Sequence, residues 1–148
     1  MKILSVAGDR VAILLADEDT HGQYTVMESV VAPGAGPPPH VHEREDEMFQ
    51  VLAGEITIYQ GEKAVRLQRG DYLFAARGLP HSFRNTGKEE ARMIITTSPA
   101  GIEKFFEKVG KPLAHQTDQA TPPTAEEIHL MQATAPEYGI TILPPKTK

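Results

Sequence analysis

The chain has 148 residues, a formal net charge of −5 and no cysteine. This length predicts one domain with a core of its own, and the missing cysteines exclude a disulfide framework, a thiolate-ligated metal and a thiol nucleophile. No apolar run approaches the ~20 residues of a membrane span, the N-terminus shows no signal-peptide pattern, and an acidic chain without a basic run excludes nucleic acid and anionic lipid as expected partners, so a cytoplasmic protein acting on a small molecule is expected.

Glycine and proline, 12 of each, fall between short apolar runs and read as punctuation. Apolar–polar alternation predicts strands at Lys2–Val6 and Arg10–Leu15, separated at Gly8–Asp9. Turn residues Asp19–Gly22 lead into a strand at Gln23–Val31. His40 and His42 stand two apart, so on an extended segment both imidazoles face the same way. The charged stretch Glu43–Asp46 suits a turn, which would bring Glu47 back on the adjacent strand, facing the two histidines. Strands follow at Met48–Ala53 and Glu55–Gln60 around Gly54, then at Lys63–Gln68 after a turn at Gly61–Glu62. Tyr72–Ala75, His81–Arg84 and Ala91–Thr97 complete the run. Many short strands with turn residues between them predict an all-β sandwich or barrel.

The pattern changes after Ser98–Pro99. Ile102, Phe105, Phe106 and Val109 recur at helical spacing until Gly110 and Pro112, which predicts a short amphipathic helix laid on the barrel. Leu113–Thr121 reads as a loop. Thr124 and Glu127 form a capping-box pattern ahead of a second helix carrying Ile128, Leu130, Met131 and Ala135. A last strand is expected at Tyr138–Leu143, followed by a frayed tail at Pro144–Lys148. The barrel would occupy residues 1–98, and the helical extension 99–148 would pack on it within the same domain.

His81 follows Gly70, Gly78 and Pro80 on another expected strand. Three neutral imidazoles with one carboxylate suit Fe(II), Mn, Co, Ni, Cu(II) or Zn, and do not suit Cu(I). Each piece alone is ordinary. A His-x-His pair is more often incidental than a metal site, and Glu43, Glu45 and Asp46 read as a solvated acidic loop. His21, His115 and His129 fall in a turn, a loop and a helix and read as surface residues.

The frame around the histidines is more specific. Gly34, His40, His42, Glu47 and Gly54 stand in the spacing G-x5-H-x-H-x4-E-x6-G. Gly70, Ala76, Gly78, His81 and Asn85 stand in the spacing G-x5-A-x-G-x2-H-x3-N. These resemble the two signature motifs of the cupin superfamily, with Ala76 where the family usually has proline. The surroundings, including Gly36–Glu47, Gly78–Asn85 and the Phe105–Phe106 pair, resemble the bacterial quercetin 2,3-dioxygenase-like group. The resemblance implies a jelly-roll barrel of two packed antiparallel sheets with short C-terminal helices. It also implies a homodimer, and His40, His42, Glu47 and His81 as ligands of one divalent transition metal.

A divalent ion on three neutral histidines and one glutamate leaves a centre of about +1, which favours an anionic enolate or phenolate oxygen. The resemblance implies a metal-dependent dioxygenase-like activity on a small aromatic or enolic, flavonol-like substrate, with Glu47 accepting its proton. Alternation places Phe49 and Val51 on the face of Glu47, and Phe83 on that of His81. With Met27 and Met93 from other strands they would form an apolar substrate wall. Two other readings stand beside this one: a non-catalytic metal-containing cupin that binds a small molecule, and a metal-dependent isomerase or lyase acting on a sugar or keto acid.

Overall fold

Alternate residues of the central strands face inward, as a side-chain period of two requires. Glu47, Phe49 and Val51 are buried in Asp46–Ala53, and Ala91, Met93, Ile95 and Thr97 are buried in Ala91–Ser98. Two such faces, one on each of two sheets, enclose the core. The computed structural model of the protein describes residues 1–144. The frayed tail expected at its end therefore lies, from 145 to 148, outside the described residues.

The elements in chain order are β1 (Lys2–Val6), β2 (Asp9–Leu15), α1 (Asp17–Thr20), β3 (Thr25–Val31), β4 (His40–His42) and β5 (Asp46–Ala53). There follow β6 (Glu55–Gln60), β7 (Lys63–Gln68), β8 (Tyr72–Ala75), β9 (His81–Arg84) and β10 (Ala91–Ser98). The C-terminal part adds α2 (Ile102–Val109), β11 (Lys111–Pro112), α3 (Ala125–Thr134), a 3-10 turn (Ala135–Tyr138) and β12 (Ile140–Ile142). One antiparallel sheet runs β11-β1-β2-β3-β10-β5-β8, and the facing one runs β12-β4-β9-β6-β7. This is the all-β, two-sheet architecture expected from the sequence.

The differences from expectation have local causes. The β1–β2 turn is made by Ala7 and Gly8, both at positive φ (51° and 92°), with Val6 opposite Asp9. Two left-handed residues match the twist of a tight hairpin, so Asp9 starts β2 instead of ending the turn. Asp17–Thr20 forms a helical turn, and Thr20 Oγ1 accepts from the Tyr24 amide and donates to the Tyr24 carbonyl. Gln23 and Tyr24 are thereby held out of β3. Gly54 is required on two counts: its φ is +74°, and a Cβ there would meet Ala91 Cα at 2.8 Å.

Residues 99–144 are more than a helical extension. β11 pairs with β1 and β12 pairs with β4, so this segment adds an edge strand to each sheet. Thr124 caps α3 by accepting from the Glu127 amide, as the sequence pattern indicates. Ala135, expected inside that helix, begins the 3-10 turn, and Tyr138 lies in that turn before β12. Helix α2 is fixed by the buried Glu103, which accepts hydrogen bonds from the Asp17 amide and from Thr25 Oγ1. No helix of the described residues is long and apolar enough to cross a membrane.

Candidate metal centre

The strand pairing brings the four candidate ligands together. His40 on β4 and His81 on β9 are direct cross-strand partners, and His42 lies two residues along β4 on the same face. Glu47 reaches them from β5 in the facing sheet. A tight turn after His42 predicts the adjacent strand for Glu47, but the Glu43–Glu45 turn crosses from one sheet to the other. One donor atom from each of His40, His42, Glu47 and His81 lies within 4.8 Å of the other three. Glu47 Oε1 is 3.1 Å from His42 Nε2 and 2.8 Å from His81 Nε2. His42, Glu47 and His81 are all buried.

The imidazoles are aimed through their other nitrogens. His40 Nδ1 is 2.9 Å from the Pro38 carbonyl, and His81 Nδ1 is 3.3 Å from the Leu79 carbonyl. A carbonyl oxygen only accepts, so each Nδ1 donates there, and in the neutral ring Nε2 is the nitrogen that presents a lone pair. Lone pairs facing a carboxylate at such distances repel unless a positive species, a proton or a metal ion, lies between them. Separations near 3 Å are also the edges of a coordination shell with bonds of about 2.1 Å. The donor set and its spacing therefore fit a divalent transition metal.

The electrostatics agree. Burial pulls His40 down to about 4, assisted by repulsion from His42 and His81, so it is neutral and able to ligate at pH 7. Burial also acts to lower His42, but attraction to Glu47, its hydrogen bond and the nearby Glu45 together outweigh it and the net direction is up. Burial alone would raise Glu47; the facing His42 and His81 reverse this and hold its carboxyl well below the usual range. Glu47 is thus ionised at neutral pH.

Glu45 belongs to the same cluster, not to the solvated acidic loop that its neighbours in sequence suggest. It is 5% exposed, and its Oε1 is 3.8 Å from His42 Nδ1. Neither atom has a hydrogen-bond partner. Glu45 stands where a carboxylate orients a ligating histidine from behind. Its spacing of three from His42 is the signal that could have found it.

The loop before His81 is pinned without the usual proline. Asp46 accepts from the Arg77 amide and pairs with the Arg77 guanidinium at 3.2 Å, and the Gly78 amide donates to the His42 carbonyl. Asn85, the last residue of the second motif, is buried and donates to the Val31 and Glu89 carbonyls, tying β9 to its surroundings. His21, His115 and His129 are exposed, as expected.

A cavity of about 100 Å³ opens beside the cluster, fronted by His40, His42 and Glu47. Of the wall residues expected from alternation, Met27 and Phe83 line it. Phe49, Val51 and Met93 face inward but are 0% exposed in the packed core and do not line it. Alternation fixes the face of a strand residue and not its depth. Phe49 instead supports the centre, its ring edge-on to His81 at 5.9 Å and to Phe83 at 6.2 Å. Sequence reasoning missed much of the remaining wall, which includes Phe105, Phe106, Met131, Ile140 and Ile142 at the C-terminal end and Asp9 on β2.

The architecture and the converging histidines and glutamate define a double-sheet β-barrel with a metal-type centre in its interior. Residues 27–97 match the family model described as Cupin domain, and the chain belongs to the cupin family. It is 30% identical over 108 residues to quercetin 2,3-dioxygenase of Bacillus subtilis, a match covering 72% of this chain and 32% of that protein. It is 31% identical over 84 residues to the oxalate-binding protein of Thermotoga maritima, covering 56% of this chain and 69% of that one. Among solved structures, a "predicted oxalate decarboxylase" from Thermotoga maritima superposes with a TM-score of 0.60 at 27% identity, over 67% of this chain and 90% of that one. The chain spans about a third of the length of the Bacillus subtilis relative.

Proposed function

We propose that the protein is a metal-dependent oxygenase that acts on a small enolic or aromatic substrate with dioxygen as co-substrate. The carrying observation is that His40, His42 and Glu47 front an otherwise largely apolar cavity. A divalent ion held by His40, His42, Glu47 and His81 would supply Lewis acidity that favours the deprotonated form of an enol. In this reading Glu47, ionised and buried, takes that proton on its carboxylate. Phe83, Phe105, Phe106 and Met27 exclude water and pack on the flat face of the substrate. The similarity to quercetin 2,3-dioxygenase supports this reading. A cavity of about 100 Å³ is below the ~300–1,000 Å³ of most drug-sized ligand sites, which favours one-ring substrates over three-ring flavonols.

A second reading is a binding protein for a small organic acid. The small cavity and the similarity to the oxalate-binding protein favour it. Oxygen uptake by metal-loaded protein with a panel of catechols, diketones, hydroxypyranones and flavonols separates the two. The enzyme reading expects consumption with at least one compound and a loss of roughly 100-fold or more in Glu47→Gln. Tight binding without oxygen uptake across the panel would establish the binding protein instead.

A further inference from the structure

The cavity has a second polar point that neither the metal-type centre nor the core accounts for. Asp9, the first residue of β2, lines the cavity and is 6% exposed. Its Oδ1 is buried with no hydrogen-bond partner, and no ion pair reaches the carboxyl among the described residues. In the seven-stranded sheet β3 and β10 separate β2 from β5, so Asp9 sits away from Glu47 along the cavity wall. The segment from β1 to β3 also lines the cavity through Val6, Ala7, Val11, Met27 and Ser29. A buried carboxyl without a hydrogen-bond partner is costly.

We propose that Asp9 is a ligand-anchoring residue, whose carboxyl hydrogen-bonds a hydroxyl on the end of the substrate remote from the His40–His42–Glu47 group. Either protonation state serves this role. A carboxylate accepts from the hydroxyl, and a neutral carboxyl also donates to it. Burial raises Asp9 to about 7, so both forms occur near neutrality. The anchor discriminates strongly because a ligand without the hydroxyl leaves the buried carboxyl unpaired. This assignment rests on the reading above in one respect, that the enol end of the ligand faces Glu47.

Kojic acid and allomaltol test it. They are one-ring hydroxypyranones with the same chelating edge, and differ only in a hydroxymethyl group against a methyl group on the far side. Calorimetric binding to the redox-inert zinc-loaded protein reads affinity without turnover. Kojic acid is expected to bind about tenfold or more tightly than allomaltol to the wild type, which is the scale of one buried hydrogen bond. That advantage should fall below about twofold in Asp9→Leu and survive in part in Asp9→Asn, which keeps a polar partner. The melting temperature of Asp9→Asn and Asp9→Leu should equal or exceed that of the wild type, since no native partner is lost. Equal affinities of the two probes for the wild type, or an undiminished kojic acid advantage in Asp9→Leu, would overturn the anchor and leave the enol-binding centre standing. A fall in melting temperature in both variants would show a structural role and also overturn it. Failure of both probes to bind would overturn the reading of the centre, and the anchor with it.

Discussion

Single residues carry the chemistry here, and the sequence shows some of them far better than others. His40 and His42 are legible because a spacing of two on an extended segment shares one face, and Glu47 and His81 because they complete a spaced frame. Asp9 and Glu45 are not legible in that way. What singles them out is a buried carboxyl oxygen without a hydrogen-bond partner, and burial is a property of the folded chain. Asp9 also has a measurable signature in stability. Its folded-state value is raised from 3.8 to about 7 by burial, so the native state holds a proton that the unfolded chain releases earlier. A raised carboxyl costs nothing below about pH 4, costs progressively more as pH climbs to 7, and costs its full amount above that. The full difference is on the order of 4 kcal/mol. Replacing Asp9 by Asn removes this dependence. Urea denaturation of the wild type and Asp9→Asn should give similar stabilities near pH 4, with the variant gaining increasingly between pH 5 and 8. A constant difference across that range would contradict the raised value.

At the scale of elements, strands were legible and their partners were not. Lys63–Gln68, Tyr72–Ala75 and His81–Arg84 occur with the bounds that alternation gives them. Which sheet receives each strand depends on pairing across long sequence separations, so nothing in the residues around Glu47 announces that it faces the histidines from the opposite sheet. The two-residue strand β11 has too few residues to show a period. The placement of α2 depends on one buried acid. Glu103 joins α1, β3 and α2 through its bonds to the Asp17 amide and Thr25 Oγ1, and the Gly101 amide donates in turn to Thr25 Oγ1. Glu103→Ala strands these donors, at a cost of about 1–3 kcal/mol. It should also loosen the helix that presents Phe105 and Phe106 to the cavity. Chemical denaturation reads the first effect, and a loss of less than about 0.5 kcal/mol would show that α2 is held by its apolar face alone.

For the molecule as a whole, the family motifs and the cavity walls lie in different parts of the chain. The match to the cupin model covers 27–97 and contains all four candidate ligands. Val6, Asp9 and Val11 precede it, and Phe105, Phe106, Met131, Ile140 and Ile142 follow it. The shared core thus supplies the candidate ligands, and the flanking segments supply much of the cavity wall, which is why the fold and the candidate ligands could be read from motifs and the wall could not. The centre also bears on stability, because an ion that binds only the folded state stabilises it by about 2.7 kcal/mol at a hundred times its dissociation constant. Titrating chelator-stripped protein with Mn(II), Fe(II), Co(II), Ni(II) and Zn(II) by calorimetry tests the account most directly. It predicts one ion per chain for at least one of these metals, with affinity weakened by roughly 100-fold or more in both His81→Ala and Glu47→Ala. Absence of stoichiometric binding by every metal, or binding that both variants leave unchanged, would contradict it.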